Sequence, residues 1–189
     1  EVFDTILSRR SIRRFRQDKI DLKILKKFIQ AARLAPSAAN LQPIEYFIVN
    51  DKKLCNEIFK TTGWAGYLKP KWTPKNDERP VAYIVLLKKD KEKEWTIRDA
   101  SLASENILLS AESEGIGSCI LLNIDKEKIN KILSIPKNYY VDSLIALGYK
   151  AETCIAEDES DSVKYYRDEN DILHVPKRKL EDIIHINKF

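Results

Sequence analysis

Helix-like and strand-like patterns alternate along these 189 residues, which predicts an α/β or α+β sandwich in one domain. Three observations carry the prediction. Val81–Leu87 is an unbroken apolar run, suited to a strand buried on both faces. Trp95–Glu114 is a long helical stretch that is apolar nearly all round, so it needs cover on every side. No repeat, low-complexity tract or Gly/Ser linker divides the chain, and a chain of this length buries roughly 70% of its unfolded surface as one domain.

The elements follow in order. Val2–Leu7 places apolar residues at 2, 3, 6 and 7, a helical stripe. A basic stretch follows, and Asp21 then reads as the N-cap of a second helix, with Ile20 and Leu25 spaced for a hydrophobic staple. Leu22, Leu25, Ile29 and Ala32 line one face of that helix, which stops before Pro36. Ile44–Val49 predicts a strand and Leu54–Phe59 a short helix. Thr61–Pro80, with Gly63, Gly66, Pro70, Pro74 and Pro80, predicts a long loop of the kind that carries function. After the helix at 95–114, Gly115 serves as C-cap. Strand Ser118–Leu122, helix Lys126–Leu133, strand Val141–Leu147, an acidic solvated loop at Glu157–Asp161 and a short helix from Leu180 complete the series.

Composition narrows the classes. With 43% hydrophobic and 33% charged residues the chain is neither disordered nor membrane-spanning, and its apolar runs are too short to cross a bilayer. No basic start followed by an apolar run reads as a signal peptide, although the absence of an initiator Met suggests a short missing piece. Cys55, Cys119 and Cys154 are odd in number and far apart, as expected of reduced thiols in a cytoplasmic protein. Two histidines without ligand spacing exclude zinc, so no metal is expected. The net charge is +4, but the positive charge is concentrated: five arginines fall between Arg9 and Arg16, and Lys177, Arg178 and Lys179 form a second run. Both clusters could converge on one phosphate.

Two segments carry chemistry. In an extended Arg9-Arg10-Ser11-Ile12-Arg13, alternate residues share a face, so Arg9, Ser11 and Arg13 can meet a phosphate with charge-assisted hydrogen bonds. A solvated basic loop is the plain alternative. Nucleic acid is not expected, because the cluster holds a single aromatic, Phe15, and no helix-turn-helix or RNA-binding signature is present. Ala35-Pro36-Ser37-Ala38-Ala39-Asn40-Leu41-Gln42-Pro43 is a tight loop in which Ser37, Asn40 and Gln42 offer donors and acceptors to a planar heterocycle.

Together the pieces RRSIRRF (Arg9–Phe15), APSAANLQP (Ala35–Pro43), GIGSC (Gly115–Cys119), LGYKAE (Leu147–Glu152) and PKRKLEDII (Pro176–Ile184) resemble the FMN-dependent nitroreductase family in order and spacing. The resemblance implies an α+β nitroreductase-like fold: a central mixed β-sheet flanked by helices, in an interlocked homodimer. Residues 1–189 would form one FMN-binding domain, with an arm from about 150 to 189 embracing the partner subunit. It implies that Arg9, Arg10 (mainly through its backbone), Ser11 and Arg13 hold the phosphate and ribityl chain. Pro36, Ser37, Ala38 and Asn40 would touch the flavin, often from the other subunit. Ile120 and Leu121 would run past the ring's reactive edge, and Lys177 and Arg178 would complete the phosphate site. Leu122 and Asn123 stand where better-known members carry an acidic residue and a glycine. The implied chemistry is ping-pong hydride transfer from NADH or NADPH through flavin N5 to a nitroaromatic, quinone or other small acceptor. No side chain acts as acid, base or nucleophile. Trp64 and Tyr67 are candidate caps of the substrate pocket, with packing as the alternative for both. Glu105 and Asn106 are expected to cross-link the dimer core.

Overall fold

The computed structural model describes residues 1–68, 70–89 and 94–188. Its centre is a sheet of four strands, β1 (Ile44–Val49), β2 (Ala82–Lys88), β3 (Ile116–Leu121) and β4 (Tyr140–Tyr149), in the order β1-β2-β4-β3. Around it lie helices α1 (Val2–Ser8), α2 (Leu22–Ala32), α3 (Lys52–Phe59), α4 (Glu94–Ser113) and α5 (Lys126–Ile132). The four strands pair antiparallel throughout. The mixing expected of this sheet is confined to its outer edge, where Ser11 makes an isolated parallel bridge to Ser118.

Every residue of β2 is buried, because successive side chains enter two different cores. Tyr83, Val85 and Leu87 join Leu144 and Ala146 in one core, with Cys55 and Ile58 of α3 and Ile129 of α5. Ala82, Ile84 and Leu86 join Ile145 and Leu147 in the other, against Leu25, Phe28 and Ala32 of α2 and Ala103, Ile107 and Ala111 of α4. The unbroken apolar run therefore has a strand's period once both faces are counted.

Local signals set the helix ends. The Asp21 carboxylate accepts the Lys23 N–H at 2.7 Å, Asp51 accepts Leu54 N–H at 2.8 Å and Asp125 accepts Lys128 N–H at 3.1 Å. Ile20 and Leu25 are both buried, as the staple requires. Gly115, with φ of 69°, follows the last turn of α4. The chain between α3 and β2 is less open than its composition predicts. Trp64, Ala65, Leu68 and Pro74 are buried in it, and residues Asn76–Glu78 form a 3-10 turn.

Beyond β4 the chain forms a second, smaller sheet: β5 (Cys154–Asp158), β6 (Tyr166–Arg167) and β7 (Leu173–Lys177), in the order β5-β7-β6. Strands β5 and β7 are parallel and β6 joins β7 antiparallel. Glu157 and Asp158, expected in an acidic loop, instead close β5, where Glu157 accepts hydrogen bonds from Tyr166 and His174. The expected final helix is one 3-10 turn, Leu180–Asp182. Among the described residues no helix is long and apolar enough to cross a membrane.

Candidate functional site

The arginine segment lies as an extended strip across the ends of β3 and β4. Ile12 N–H donates to Ser118 O and Arg16 N–H to Tyr149 O, both at 2.9 Å, and Ala151 N–H donates to Arg14 O at 3.0 Å. Two glycines permit this approach. A Cβ on Gly117 would stand 2.8 Å from Ile12 Cγ2, and one on Gly148 would stand 2.7 Å from Phe15 Cβ. Ile12 and Phe15 are buried in the core, and Arg9, Arg10, Ser11, Arg13 and Arg14 around them are half-buried. The charges of both Arg9 and Arg13 act on the Cys119 thiol, although burial dominates there and pushes that thiol up.

Each basic side chain has a distinct setting. Arg9 Nε lies 3.6 Å from Glu105 of α4. Arg13 donates to Ser11 O at 3.3 Å, and its guanidinium lies 4.8 Å from the Tyr165 ring centre. Arg10 Nε is buried with no hydrogen-bond partner. Burial, followed by repulsion from Arg9, holds the Arg10 guanidinium below its ordinary pKa. Under the strip sits Glu152, its side chain 1% exposed, which accepts hydrogen bonds from Arg13 N–H, Arg14 N–H and Arg167. A buried carboxylate is costly unless it is fully bonded, and three donors satisfy this one.

The loop from Pro36 to Pro43 is held from α4 by Asp99, a buried residue that sequence reasoning missed. Ser37 Oγ donates to Asp99 Oδ2 at 2.6 Å, and Ala38 N–H donates to Asp99 Oδ1 at 3.1 Å. Ser37 Oγ also accepts Gln42 N–H at 2.9 Å. Its hydroxyl is therefore committed to the loop itself, not free for a heterocycle. Gln42 Nε2 donates to Asn40 Oδ1 at 3.0 Å, so the outward groups are the Asn40 amide nitrogen and the Gln42 carbonyl. Ala39, Asn40 and Gln42 have φ of 49°, 54° and 48°. Three non-glycine residues in the left-handed region within four positions store strain that ordinary turns avoid. Pro36 is exposed, and a small cavity of about 140 Å3 opens beneath the loop, bounded by Ser37, Tyr46 and Asp99. Burial pushes the Tyr46 hydroxyl there up to about 12.

At the end of β3 the two expected residues divide. Ile120 is 37% exposed and stands outward, whereas Leu121 enters the core. Asn123 O accepts Gly63 N–H at 2.8 Å and so ties the long loop to this strand end. Trp64 packs against Phe59 with its Nε1 bonded to Thr62 Oγ1 at 2.8 Å, which is the packing role. Tyr67 is half-exposed, and its ring meets Tyr165 at 5.0 Å. Tyr165 thereby links Tyr67 to Arg13, and sequence reasoning assigned it nothing. Asn106 donates to Ala31 O at 3.0 Å, a link from α4 to α2 within the chain.

Within one chain these segments stand apart along the fold. Arg9 and Ser37 are tied to α4 at Glu105 and Asp99, six residues apart, which is about 9 Å along the helix and about 120° around it. Lys177 lies about 13 Å along β7 from Leu173, the end of that strand beside Thr153 and the arginine strip, and Arg178 follows it. Arg178 donates instead to Asp182 O at 2.9 Å.

Known proteins match this arrangement. The family model "Nitroreductase family" matches residues 6–149. A Methanothermobacter thermautotrophicus protein, provisionally named an NADH dehydrogenase/NAD(P)H nitroreductase, is 31% identical over 158 residues, 80% of this chain and 78% of its own. An iodotyrosine deiodinase of Thermotoga neapolitana is 27% identical over 165 residues, 78% of this chain and 88% of its own. The solved structure of an FMN-dependent nitroreductase from Clostridium difficile superposes with a TM-score of 0.70 at 26% identity, covering 99% of both chains. With the arginine strip, the strained loop and the β3 edge placed in the order the motifs follow, this chain belongs to the nitroreductase family.

Proposed function

We propose that the chain binds FMN and acts as an NAD(P)H-dependent oxidoreductase on a small acceptor such as a nitroaromatic or quinone, by a ping-pong cycle. The observation that carries the reading is the arginine strip. Arg9, Ser11 and Arg13 lie half-buried along it, and Arg10 Nε is buried without a protein acceptor. These residues fit a phosphate monoester, whose oxygens supply acceptors to several guanidinium donors at once. The same chemistry is printed in the names of relatives: the Clostridium difficile protein is FMN-dependent, and a 26% identical Vibrio harveyi protein is an NADPH-flavin oxidoreductase.

When bound, FMN supplies the redox step, taking hydride from the nicotinamide at N5 and later passing the reducing equivalents to the acceptor. The side chains bind and orient. Arg9, Ser11 and Arg13 hold the phosphate, with Arg10 contributing through its backbone and its unpaired Nε. Pro36, Ser37, Ala38 and Asn40 present a preorganised loop, and the backbone at Ile120 and Leu121 borders the reactive edge. Tyr67 sits at the acceptor side.

The proposal includes a homodimer. Helix α1 buries none of its residues and exposes Val2, Phe3, Ile6 and Leu7. Ile97 and Leu102 on α4, and Leu180, Ile183, Ile184 and Ile186 at the C-terminus, are exposed as well. Such extended apolar surface marks an interface. A second copy would set its 36–43 loop against the arginine strip of the first. The arm from about 150 to 189 would carry Lys177 and Arg178 across, closing the gap left within one chain. No nucleic acid is required, and three unpaired cysteines suit a cytoplasmic setting.

Anaerobic stopped-flow spectroscopy tests the reading. The FMN-loaded chain should bleach on mixing with NADH or NADPH and recover on adding a quinone. A flavin reduced by neither nucleotide would exclude it. The deiodinase relative favours one second reading, reductive dehalogenation on the same flavin, and halide release from an iodophenol separates it from nitro reduction.

A further inference from the structure

Beside α3, where β1 ends and β2 begins, a cavity of about 1000 Å3 opens that shares no lining residue with the site above.

Arg79 dominates its wall. The guanidinium lies 4.2 Å from the centre of the Phe59 ring, and its Nε is buried with no hydrogen-bond partner. Among the described residues no carboxylate pairs with this half-buried cation, whereas Arg9, Arg14 and Arg167 each have one. The ring supplies some compensation, but the planar fork of donors is left for something else. A second orphan lies close by. The Tyr83 hydroxyl, which is not part of the lining, is fully buried without a partner and feels the charge of Arg79.

The rest of the lining favours an anion carrying hydroxyls. Lys19 and Lys52 add positive charge. With Arg79 they make three cations against two carboxylates, Asp51, which also caps α3 through Leu54 N–H, and Asp77. The side-chain amides of Asn56 and Asn76 are bonded to nothing among the described residues.

We infer that this cavity is a second ligand site, taking a small hydroxylated oxyanion whose phosphate or carboxylate lies in the Arg79 fork and whose hydroxyls reach Asn56 and Asn76. Bidentate recognition of either anion by a guanidinium is the strong form of such contacts.

The test is titration calorimetry on the chain saturated with FMN, using glycerol 3-phosphate and glycerate as probes matched except for the anion. Saturable binding of the first alone assigns a phosphate ligand, and of the second alone a carboxylate; either supports the site. Arg79→Gln should weaken binding by about tenfold or more, since it removes a charged hydrogen-bonding fork. Asn76→Ala, at an exposed position, should weaken it by a smaller factor and leave the fold intact. Should Arg79→Gln fail to fold, Arg79→Lys, which keeps the charge and loses the fork, replaces it. An Arg9→Gln variant keeps the probes independent of the flavin reading: binding that persists there belongs to the new cavity even if FMN is never bound. If neither probe binds at millimolar concentration, or if the Arg79 and Asn76 variants bind as the parent does, the inference is wrong.

Discussion

At the scale of single residues, the arrangement turns on carboxylates that the motifs do not advertise. Asp99 holds the strained loop by two hydrogen bonds, and Glu152 holds the arginine strip by its backbone. Arg9, Ser11 and Arg13 were legible as a candidate phosphate-binding set because arginines clustered around a serine suit an anion. Asp99 was not, because a lone acid in a helix reads as part of a solvated face. A signal existed nevertheless. Thr96, Asp99, Ala100, Ala103, Ser104 and Ile107 recur at helical spacing and are all buried, so Asp99 falls within the inward stripe of α4. Asp99→Ala should lower stability by about 1–3 kcal/mol, the cost of orphaning a buried hydroxyl and amide. It should also weaken FMN binding by about tenfold through loss of loop preorganisation. Urea denaturation and a flavin fluorescence titration measure the two. A stability loss with unchanged flavin affinity would mean that the loop does not hold the cofactor.

At the scale of elements, the helices and the four main strands follow patterns any window of the sequence displays. Caps, staples and the doubly buried β2 are local signals, and the structure places them within a residue or two. The small sheet is different. Its strands are short, β7 contains Pro176, and the parallel partners Cys154 and Leu173 are brought together only by the fold. What secures it is His174, which bridges Glu157 of β5 at 2.7 Å and Asp168 at 3.3 Å and stacks on Tyr166 at 4.8 Å. The hydrogen bond to Glu157 is the first cause raising the His174 pKa, with Asp168 assisting; burial opposes. Glu157 and Asp168 are lowered in turn. The signs fix a window. The histidine's contribution is complete below its unfolded pKa of about 6.5 and is lost as pH rises through the raised folded value. The carboxylates' contribution is lost as pH falls through their depressed values. The protection factors of the β5 and β7 amides, with the intrinsic pH dependence of exchange divided out, should therefore be highest in between. His174→Phe, which keeps the stack on Tyr166, should abolish the loosening on the alkaline side. If the alkaline limb survives that substitution, another group is responsible.

At the scale of the whole molecule, exposed apolar residues on α1, α4 and the C-terminal tail are the largest unsettled part of the surface. The sequence hinted at this through the apolar girth of the helix at 95–114. It could not show which side is covered internally, because that depends on how α2 and the sheet pack on it. If the surface is the dimer interface, charge placed there should separate the copies and, with them, the two halves of the flavin site. The double variant Phe3→Glu, Ile6→Glu should sediment as a monomer and bind FMN at least tenfold more weakly, while retaining the circular dichroism of the parent. A variant that remains dimeric with full flavin affinity would place the interface elsewhere.

The stitching of residues 11–16 onto β3, β4 and Glu152 also governs when the site can exist during synthesis. Each of those anchors, from Ser118 to Glu152, is made more than a hundred residues after the segment it holds. At a translation rate of about 5–20 residues per second, the arginines are made several seconds before the β3, β4 and Glu152 anchors that fix their geometry. Until then they are an unpaired cationic strand, exposed to whatever polyanion is nearby. Only a nascent chain that has reached Glu152 has every anchor that turns that stretch from a loose cationic segment into a fixed strip.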